Sequence, residues 1–320
     1  MSQPSVAPPA VDKRIKALRR FALSITAFNV LGHLFLGFEQ AWLTPIAGVL
    51  AGYAAELLLE TADARAHGRR PRYLGTRADF VNFLLPAHIA GLACSMLLYG
   101  NESLWPTIFA VTVAVASKYL IQVPVGGRMR HVLNPSNFGI SVTLICFAWV
   151  GIAPPYEFTE NVSGVLDWLI PLAVGASGAM LNAKLTGRIP LILGWVGGFV
   201  LQALIRAVVL PDQSFVSALL PMTGVAFILF TNYMITDPGT SPAAPRRQVY
   251  FGAATALVYG LLVVNHITFG LFFALVIVCI VRLVALIWVA VRDRNAPAVT
   301  PPPPAGVPVA EEAVAGAPVR

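Results

Sequence analysis

A polar segment between two long apolar runs holds the residues best suited to chemistry. Residues 231–252 read TNYMITDPGTSPAAPRRQVYFG and include Asp237, Thr240 and Ser241. Proline lacks an N–H and restricts the residue before it, so a helix that reaches Met234 is predicted to stop near Asp237. The carboxylate and the two hydroxyls can then bond the freed backbone groups in a tight turn. The segment therefore predicts an ordered polar site at the edge of a membrane.

A second segment, GGRMRHVLNPSNFG at 126–139, is predicted to reach the same side of the membrane. Gly127 permits unusual backbone angles. Asn134, Ser136 and Asn137 offer hydrogen bonds at a helix N-terminus, which is a natural anion site. The nearest cations of the two segments are Arg128, Arg130, Arg246 and Arg247. Together the segments could hold a phosphate or the polar edge of a flavin ring. Alternatively, they are caps and turns whose arginines face lipid headgroups.

The composition places these segments in a membrane protein. The chain has 320 residues, of which 57% are hydrophobic and 12% charged, whereas soluble domains carry about 25% charged residues. A hydrocarbon core about 30 Å thick needs about 20 apolar residues per helix. We predict an all-α polytopic fold with ten spans: 20–38, 41–60, 80–99, 105–123, 133–152, 166–183, 189–208, 216–235, 249–264 and 267–290.

The charged residues predict the orientation of the chain. Lys and Arg fall in alternate loops, as the positive-inside rule requires, so we expect both termini in the cytoplasm. This placement explains the net charge of +7 without nucleic acid. The three cysteines stand alone, which argues against a disulfide framework or a metal site. We divide the chain into residues 1–19 (a disordered start followed by a basic amphipathic segment), the membrane domain 20–290, and a disordered Pro/Ala-rich tail at 291–320.

Short sequence matches predict an internal repeat. FVNFLLP at 80–86 recurs as FVSALLP at 215–221, and NPSNFGI at 134–140 resembles NHITFGL at 265–271. AGYAAE at 51–56 likewise resembles GGFVLQ at 197–202. Each match joins span n to span n+5. Because each half would contain an odd number of spans, we expect two inverted five-helix halves, whose interface commonly carries the site.

The TDPGTSP block of residues 236–242 resembles the signature of the NqrB/RnfD family of membrane electron-transfer subunits. The segment 117–139 is similar to that family's Lys…GG…NPA segment, with Lys118, Gly127, Asn134 and Pro135 as counterparts. The likeness covers roughly residues 80–290 and extends to the enediyne biosynthesis (UnbU-type) membrane proteins. It implies a ten-helix, flavin-binding subunit in the cytoplasmic membrane of a bacterium, working with partner membrane or redox subunits.

One departure from the family bears on the cofactor. The family attaches FMN through a phosphoester to the Thr of an SGAT motif, whereas this chain reads SGAM at 177–180. Met180 cannot form that ester, and SGAM is also typical of small-residue helix packing. The resemblance therefore implies a non-covalent flavin (FMN or riboflavin) or a quinone near Asp237 and Asn134.

Other polar residues lie within the predicted spans. Lys118 and Arg206 are close to span ends and are expected to extend their charges toward water. Arg282 lies deeper, where an unpaired charge is costly, and we expect it to pair with Glu56. His33 and His88 offer only weak grounds for a haem site.

Three functions follow from these patterns. The first is flavin- or quinone-linked electron transfer, in which Asp237, Thr240 and Ser241 orient the ring and Arg128 and Arg246 balance its charge. The second is a transporter or channel for a small polar solute or a natural product, since inverted repeats with broken helices suit it equally well. The third is a membrane anchor for enediyne-type biosynthesis with a decayed cofactor site.

Overall fold

The structure is a computed structural model that describes residues 13–125, 128–154, 158–210 and 212–295. The predicted disordered segments at 1–10 and 296–320 and the predicted site residue Gly127 lie outside the described residues.

The first part of the chain forms five helices. They are α1 (Lys13–Leu31), which continues as a π-helical turn (Gly32–Leu36), α2 (Leu43–Ala66), α3 (Arg77–Leu97), α4 (Trp105–Leu120) and α5 (Pro135–Cys146).

The second part begins with α6 (Val165–Leu181), which continues as a π-helical turn (Asn182–Thr186), and α7 (Ile189–Val209). A broken helix follows: α8 (Phe215–Leu219), a 3-10 turn (Leu220–Thr223), α9 (Val225–Leu229) and a π-helical turn (Phe230–Met234). The last helices are α10 (Pro245–Val264) and α11 (Gly270–Asn295).

Four short strands join the helices. The strands β1 (Leu98–Tyr99) and β4 (Gly151–Ile152) pair antiparallel, and β2 (Gln122–Val125) and β3 (Arg128–His131) form a hairpin between α4 and α5. The hairpin was not predicted, although two glycines between short strand-like runs are a hairpin signal.

Helix boundaries differ from the prediction at both ends of the described chain. The basic segment and the first predicted span form one continuous helix, α1, rather than a surface helix followed by a span. The last helix continues to Asn295, five residues beyond the predicted end of the membrane domain. In both places basic residues extend an apolar helix without a proline or glycine to stop it.

The helices show a membrane protein, although fewer of them qualify as spans than predicted. Every predicted span overlaps a helix, yet six helices of the described chain are long and apolar enough to cross a bilayer. They are α2, α3, α6 with its π-helical turn, α7, α10 and the part of α11 up to Arg292. The broken helix Phe215–Met234, bent by 69°, would be a seventh. The helices α4 and α5 are apolar but shorter.

The loops collect at two ends of the bundle. At one end, Gln40 donates to the carbonyl of Leu98 (3.0 Å) and β1 pairs with β4, so the loops after α1, α3 and α5 lie together. At the other end, Arg72 donates to the hydroxyl of Tyr119 (3.2 Å) and Arg188 donates to the carbonyl of Pro242 (2.9 Å). This second end carries the polar segment after α9, and we call it the turn end.

Glycines set a close helix contact between α7 and α10. A Cβ added at Gly194 would lie 2.4 Å from the carbonyl oxygen of Val249, and one at Gly252 would lie 2.4 Å from that of Leu191. Since no Cβ approaches backbone so closely, the two helices touch main chain to main chain. Trp195 is fully buried beside this contact and packs its ring against Phe199, Phe227, Phe230 and Tyr259.

We predict that Gly194→Ala destabilises the protein by about 1–3 kcal/mol, because the added methyl group has to push the two backbones apart. The measurement is thermal unfolding of the purified protein in a neutral detergent. Gly197→Ala is the matched control, since a Cβ there meets no atom within 4 Å. Equal effects of the two substitutions would contradict the close α7–α10 contact.

Candidate functional site

The polar segment after α9 folds into a tight turn, which we call the Asp237 turn (Thr236–Pro245). The preceding helical segment ends at Met234, three residues before the predicted stop near Asp237. The Asp237 carboxylate accepts from the N–H of Gly239 (3.0 Å) and the hydroxyl of Thr240 (2.9 Å), and the Asp237 carbonyl accepts from the Ser241 hydroxyl (2.6 Å). The side chains singled out by sequence therefore hold the turn together.

Two arginines from other helices bind the main chain of this turn. Arg188, at the start of α7, donates to the carbonyls of Pro242 (2.9 Å) and Pro238 (3.4 Å). Arg282, in the middle of α11, donates to the carbonyl of Thr240. Burial lowers the pKa of Arg188, Asp237 acts in the opposite direction, and Arg282 adds to the lowering. The three side chains are close enough to interact, and they leave one positive charge in excess.

The second predicted segment meets the turn directly. Asn134 donates from its side-chain nitrogen to the carbonyl of Met234 (2.9 Å), while its oxygen accepts from the hydroxyl of Ser136 and the N–H of Asn137 (both 3.0 Å). Asn134 thus caps α5 and ties it to the helix before the Asp237 turn. Asn137 extends the connection by donating to the carbonyl of Phe272 in α11 (2.9 Å).

The predicted cations do not all join the site. Arg128 and Arg246 are exposed, the first on the hairpin and the second in the first turn of α10. The hairpin lies close to the turn, because a Cβ on Gly239 would be 3.1 Å from Nε2 of His131. Lys118, predicted for the same site, forms an ion pair with Glu56 instead. The close cations of the turn are Arg188 and Arg282, which sequence analysis did not assign to it.

A buried charge network on α2 was also missed. Glu60 is fully buried, and its carboxylate accepts from Arg69 (2.6 Å) and Arg72 (2.7 Å). Glu56 accepts from Lys118 and from the Tyr119 hydroxyl (3.0 Å). The spacing of Glu56, Glu60 and Asp63 places three acids on one face of α2, and this pattern could have revealed the network.

The expected pair of Arg282 with Glu56 was wrong. Arg282 reaches the carbonyl of Thr240, and Lys118 satisfies Glu56. Sequence spacing could not settle this, because the partners come from helices distant in the chain. Arg206 does not extend to water either: it is buried and donates to the side chains of Gln202 (2.8 Å) and Gln213 (3.2 Å).

His88 belongs to a partly buried polar cluster. Its Nε2 lies 2.9 Å from the Thr26 hydroxyl and its Nδ1 lies 2.9 Å from the Tyr53 hydroxyl. Because Thr26 donates its own proton to the carbonyl of Ala22 (2.7 Å), His88 is assigned as the donor to Thr26 and the acceptor from Tyr53. Both ring nitrogens are occupied, so this conformation offers neither to a haem iron.

The SGAM segment packs as the small-residue interpretation predicted. A Cβ on Gly178 would lie 2.5 Å from the Cβ of Asn232, and the Ser177 hydroxyl lies 2.8 Å from that of Tyr233. Other residues of α6 line an open groove of about 680 Å³ against the broken helix. The groove is lined by Asp167, Trp168, Pro171, Leu172, Gly175, Ala176, Ala179, Thr223 and Ile228.

Neither a protein-family model nor a curated protein matches the chain.

We predict that Lys118→Met destabilises the protein by about 3–5 kcal/mol, because it leaves the buried Glu56 carboxylate without its cation. Combining it with Glu56→Gln should recover most of that loss. The measurement is thermal unfolding of the two single variants and the double variant. Additive losses would contradict a direct pairing of the two side chains.

Proposed function

We propose that the chain crosses the membrane ten times as two inverted five-helix halves. The first half is α1–α5, and the second is α6–α11 with α8 and α9 counted as one broken helix. Local geometry supports this repeat. The first helix of each half ends in a five-residue π-helical turn followed by a left-handed glycine, Gly37 with φ 85° and Gly187 with φ 65°. Such turns are rare in proteins, so their occurrence at equivalent points favours a common origin of the halves.

Paired glycines in the second helix of each half give further support. Gly48 and Gly52 in α2 correspond to Gly194 and Gly198 in α7 under the sequence match. Gly48 approaches the carbonyl of Gly91 in α3, since an added Cβ would lie 2.9 Å away. A Cβ added at Gly52 would lie 2.9 Å from the carbonyl of Ala87 in α3 and 3.2 Å from Val111 in α4, and one at Gly198 would lie 2.9 Å from Ala256 in α10. A four-residue spacing of small residues is typical of close helix packing in membranes.

The packing order of the helices agrees with the repeat. In the first half, α2 packs on α4, α4 on α5, and α1 on α3. The equivalent contacts of the second half also form, between α7 and α10, α10 and α11, and α6 and α9. The contact between α5 and α11 joins the last helices of the halves. An inverted arrangement would explain both sets of contacts with one fold.

We further propose flavin- or quinone-linked electron transfer as the function. The observation that carries this proposal is the groove beside α6, because Ala179 of the segment that resembles the family's flavin-bearing motif lines it. Its volume of about 680 Å³ falls in the range typical of small-molecule sites, about 300–1,000 Å³. Its lining is apolar and includes the ring of Trp168, as suits a flat ring system.

The small side chains of α6 make the groove deep enough for a ring. Gly175, Ala176 and Ala179 form its floor along α6, and Ile228 faces them from α9. Met180 is half-exposed on the same helix and offers no hydroxyl for an ester. A flavin or quinone held here would be non-covalent. The bound ring would supply the redox chemistry, while the chain orients it and excludes water.

In this proposal the Asp237 turn supports the fold around the cofactor. Its Asp, Thr and Ser side chains bond within the turn, and Asn134 joins it to α5. Partner subunits in the cytoplasmic membrane of a bacterium would exchange electrons with the bound ring. The exposed apolar face of α6, which includes Val165, Trp168 and Leu172, is available to such a subunit or to lipid.

We predict that the protein purified in mild detergent carries a flavin, seen by its absorbance and by fluorescence after acid extraction, or responds to added quinone. Ala176→Trp fills the groove and should remove the cofactor or the quinone response. Ala173→Trp is the control, because Ala173 is exposed on the same helix but does not line the groove. A colourless wild-type protein without quinone-dependent redox activity would end this proposal.

A second candidate function is transport of a small polar solute. The 69° bend between the two parts of the helix Phe215–Met234 favours it, because transporters place their sites at such broken helices. The Asp237 turn follows this helix directly. Solute flux into proteoliposomes, with no redox partner present, would support transport over electron transfer.

A further inference from the structure

The first turn of α10 concentrates positive charge without a matching anion. No side chain caps the N-terminus of this helix at Ala244, and its first turn contains no acidic residue. Arg246 and Arg247 are exposed in that turn. The free N–H groups of a helix N-terminus carry partial positive charge and favour an anion. Here the side chains add to this charge instead of compensating it.

Buried polar atoms beside the same turn lack partners. Arg188 is 7% exposed, and its Nε has no hydrogen-bond partner among the described residues. Gln248 is 1% exposed, and its Oε1 is likewise without a partner in that part of the chain. A buried donor or acceptor without a partner destabilises the folded protein. An external group that bonds both atoms would relieve this cost.

The two side chains are anchored on adjacent residues. Arg188 donates to the carbonyl of Pro242 (2.9 Å), and Gln248 donates to that of Ala243 (3.0 Å). Other atoms of the same two side chains, the Arg188 Nη1 and the Gln248 Nε2, make these bonds, so both side chains lie at the short segment immediately before α10. A protonated phosphate oxygen can donate to Gln248, while the other oxygens accept from Arg188 and from the helix N–H groups. Few other ligands combine these donor and acceptor properties with negative charge.

We propose that Arg188, Gln248 and the N-terminus of α10 form a binding site for a phosphate group. Arg282 contributes to the local charge through the Asp237 turn, where Asp237 balances only one of the two guanidinium groups. The phosphate comes either from a free phosphorylated solute or from the headgroup of an anionic lipid at the turn end. Binding would fix the Asp237 turn against α7 and α10. This site shares no residue with the groove of α6.

The test uses thermal unfolding of the full-length protein in neutral detergent, with sodium phosphate titrated against sodium chloride at constant ionic strength. We expect phosphate to raise Tm in a saturable manner, since a ligand that binds only the folded state stabilises it. Arg188→Gln should raise the apparent Kd for phosphate about tenfold or more. Arg65→Gln removes an equal charge from an exposed site on α2 and should leave the phosphate response unchanged.

Because Arg188→Gln can also loosen the Asp237 turn, Gln248→Glu provides an independent variant. Its carboxylate has the same shape as the amide, but it repels a phosphate group and can no longer donate to the Ala243 carbonyl. We expect this variant to unfold cooperatively and to lose the phosphate response. A full phosphate response in Gln248→Glu would overturn the proposal, as would a wild-type protein that responds equally to chloride.

A soluble anionic lipid and inorganic phosphate are compared to distinguish the two sources of the phosphate group, and a zwitterionic lipid serves as the control. Dihexanoyl phosphatidic acid, added below its micellar concentration, should raise Tm if a lipid headgroup occupies the site, and inorganic phosphate should do so if a free solute does. Either response supports the proposal when Gln248→Glu abolishes it. An equal response to dihexanoyl phosphatidylcholine would show an effect of the acyl chains and would contradict the site. The readout needs no chromophore, so a protein without flavin leaves this test valid.

Discussion

The requirement that main-chain polar groups find partners within the protein governs this structure. Inside a bilayer no water is available to a carbonyl that leaves a helix, and irregular backbone is tolerated only where protein satisfies it. The Asp237 turn interrupts the helices and frees several such carbonyls. Arg188 and Arg282 donate to three of them, and Asn134 donates to a fourth at Met234. The turn is therefore stable only when α5, α7 and α11 are in place.

This dependence explains why the polar residues of the turn need not be a ligand site themselves. The Asp237 carboxylate and the Thr240 and Ser241 hydroxyls are engaged in the turn. Two other places are candidate ligand sites. One is the groove along α6, and the other is the pair of side chains Arg188 and Gln248, each of which has an unpartnered buried atom.

Close glycine contacts and buried ion pairs hold the rest of the bundle. Hydrophobic burial gives little preference for one helix contact over another in lipid, so shape and polar pairing select the partners. The main-chain contact of α7 with α10 depends on Gly194 and Gly252. In the first half, Glu56 pairs with Lys118, and Glu60 pairs with Arg69 and Arg72. These side chains are costly to bury alone and therefore favour one arrangement of α2 and α4.

The sequence by itself determined the helical membrane class, the approximate position of each helix and, to within three residues, the end of the helical segment before the Asp237 turn. These follow from apolar length and from proline, which act locally. The sequence also predicted that Asn134 and the Asp237 turn lie at one end of the bundle, because the alternation of loops constrains which segments can meet. Only the tertiary structure decided the partners of the buried charges. Arg282 donates to the Thr240 carbonyl, and Lys118 forms an ion pair with Glu56. Helix packing decides which distant residues lie within hydrogen-bonding distance.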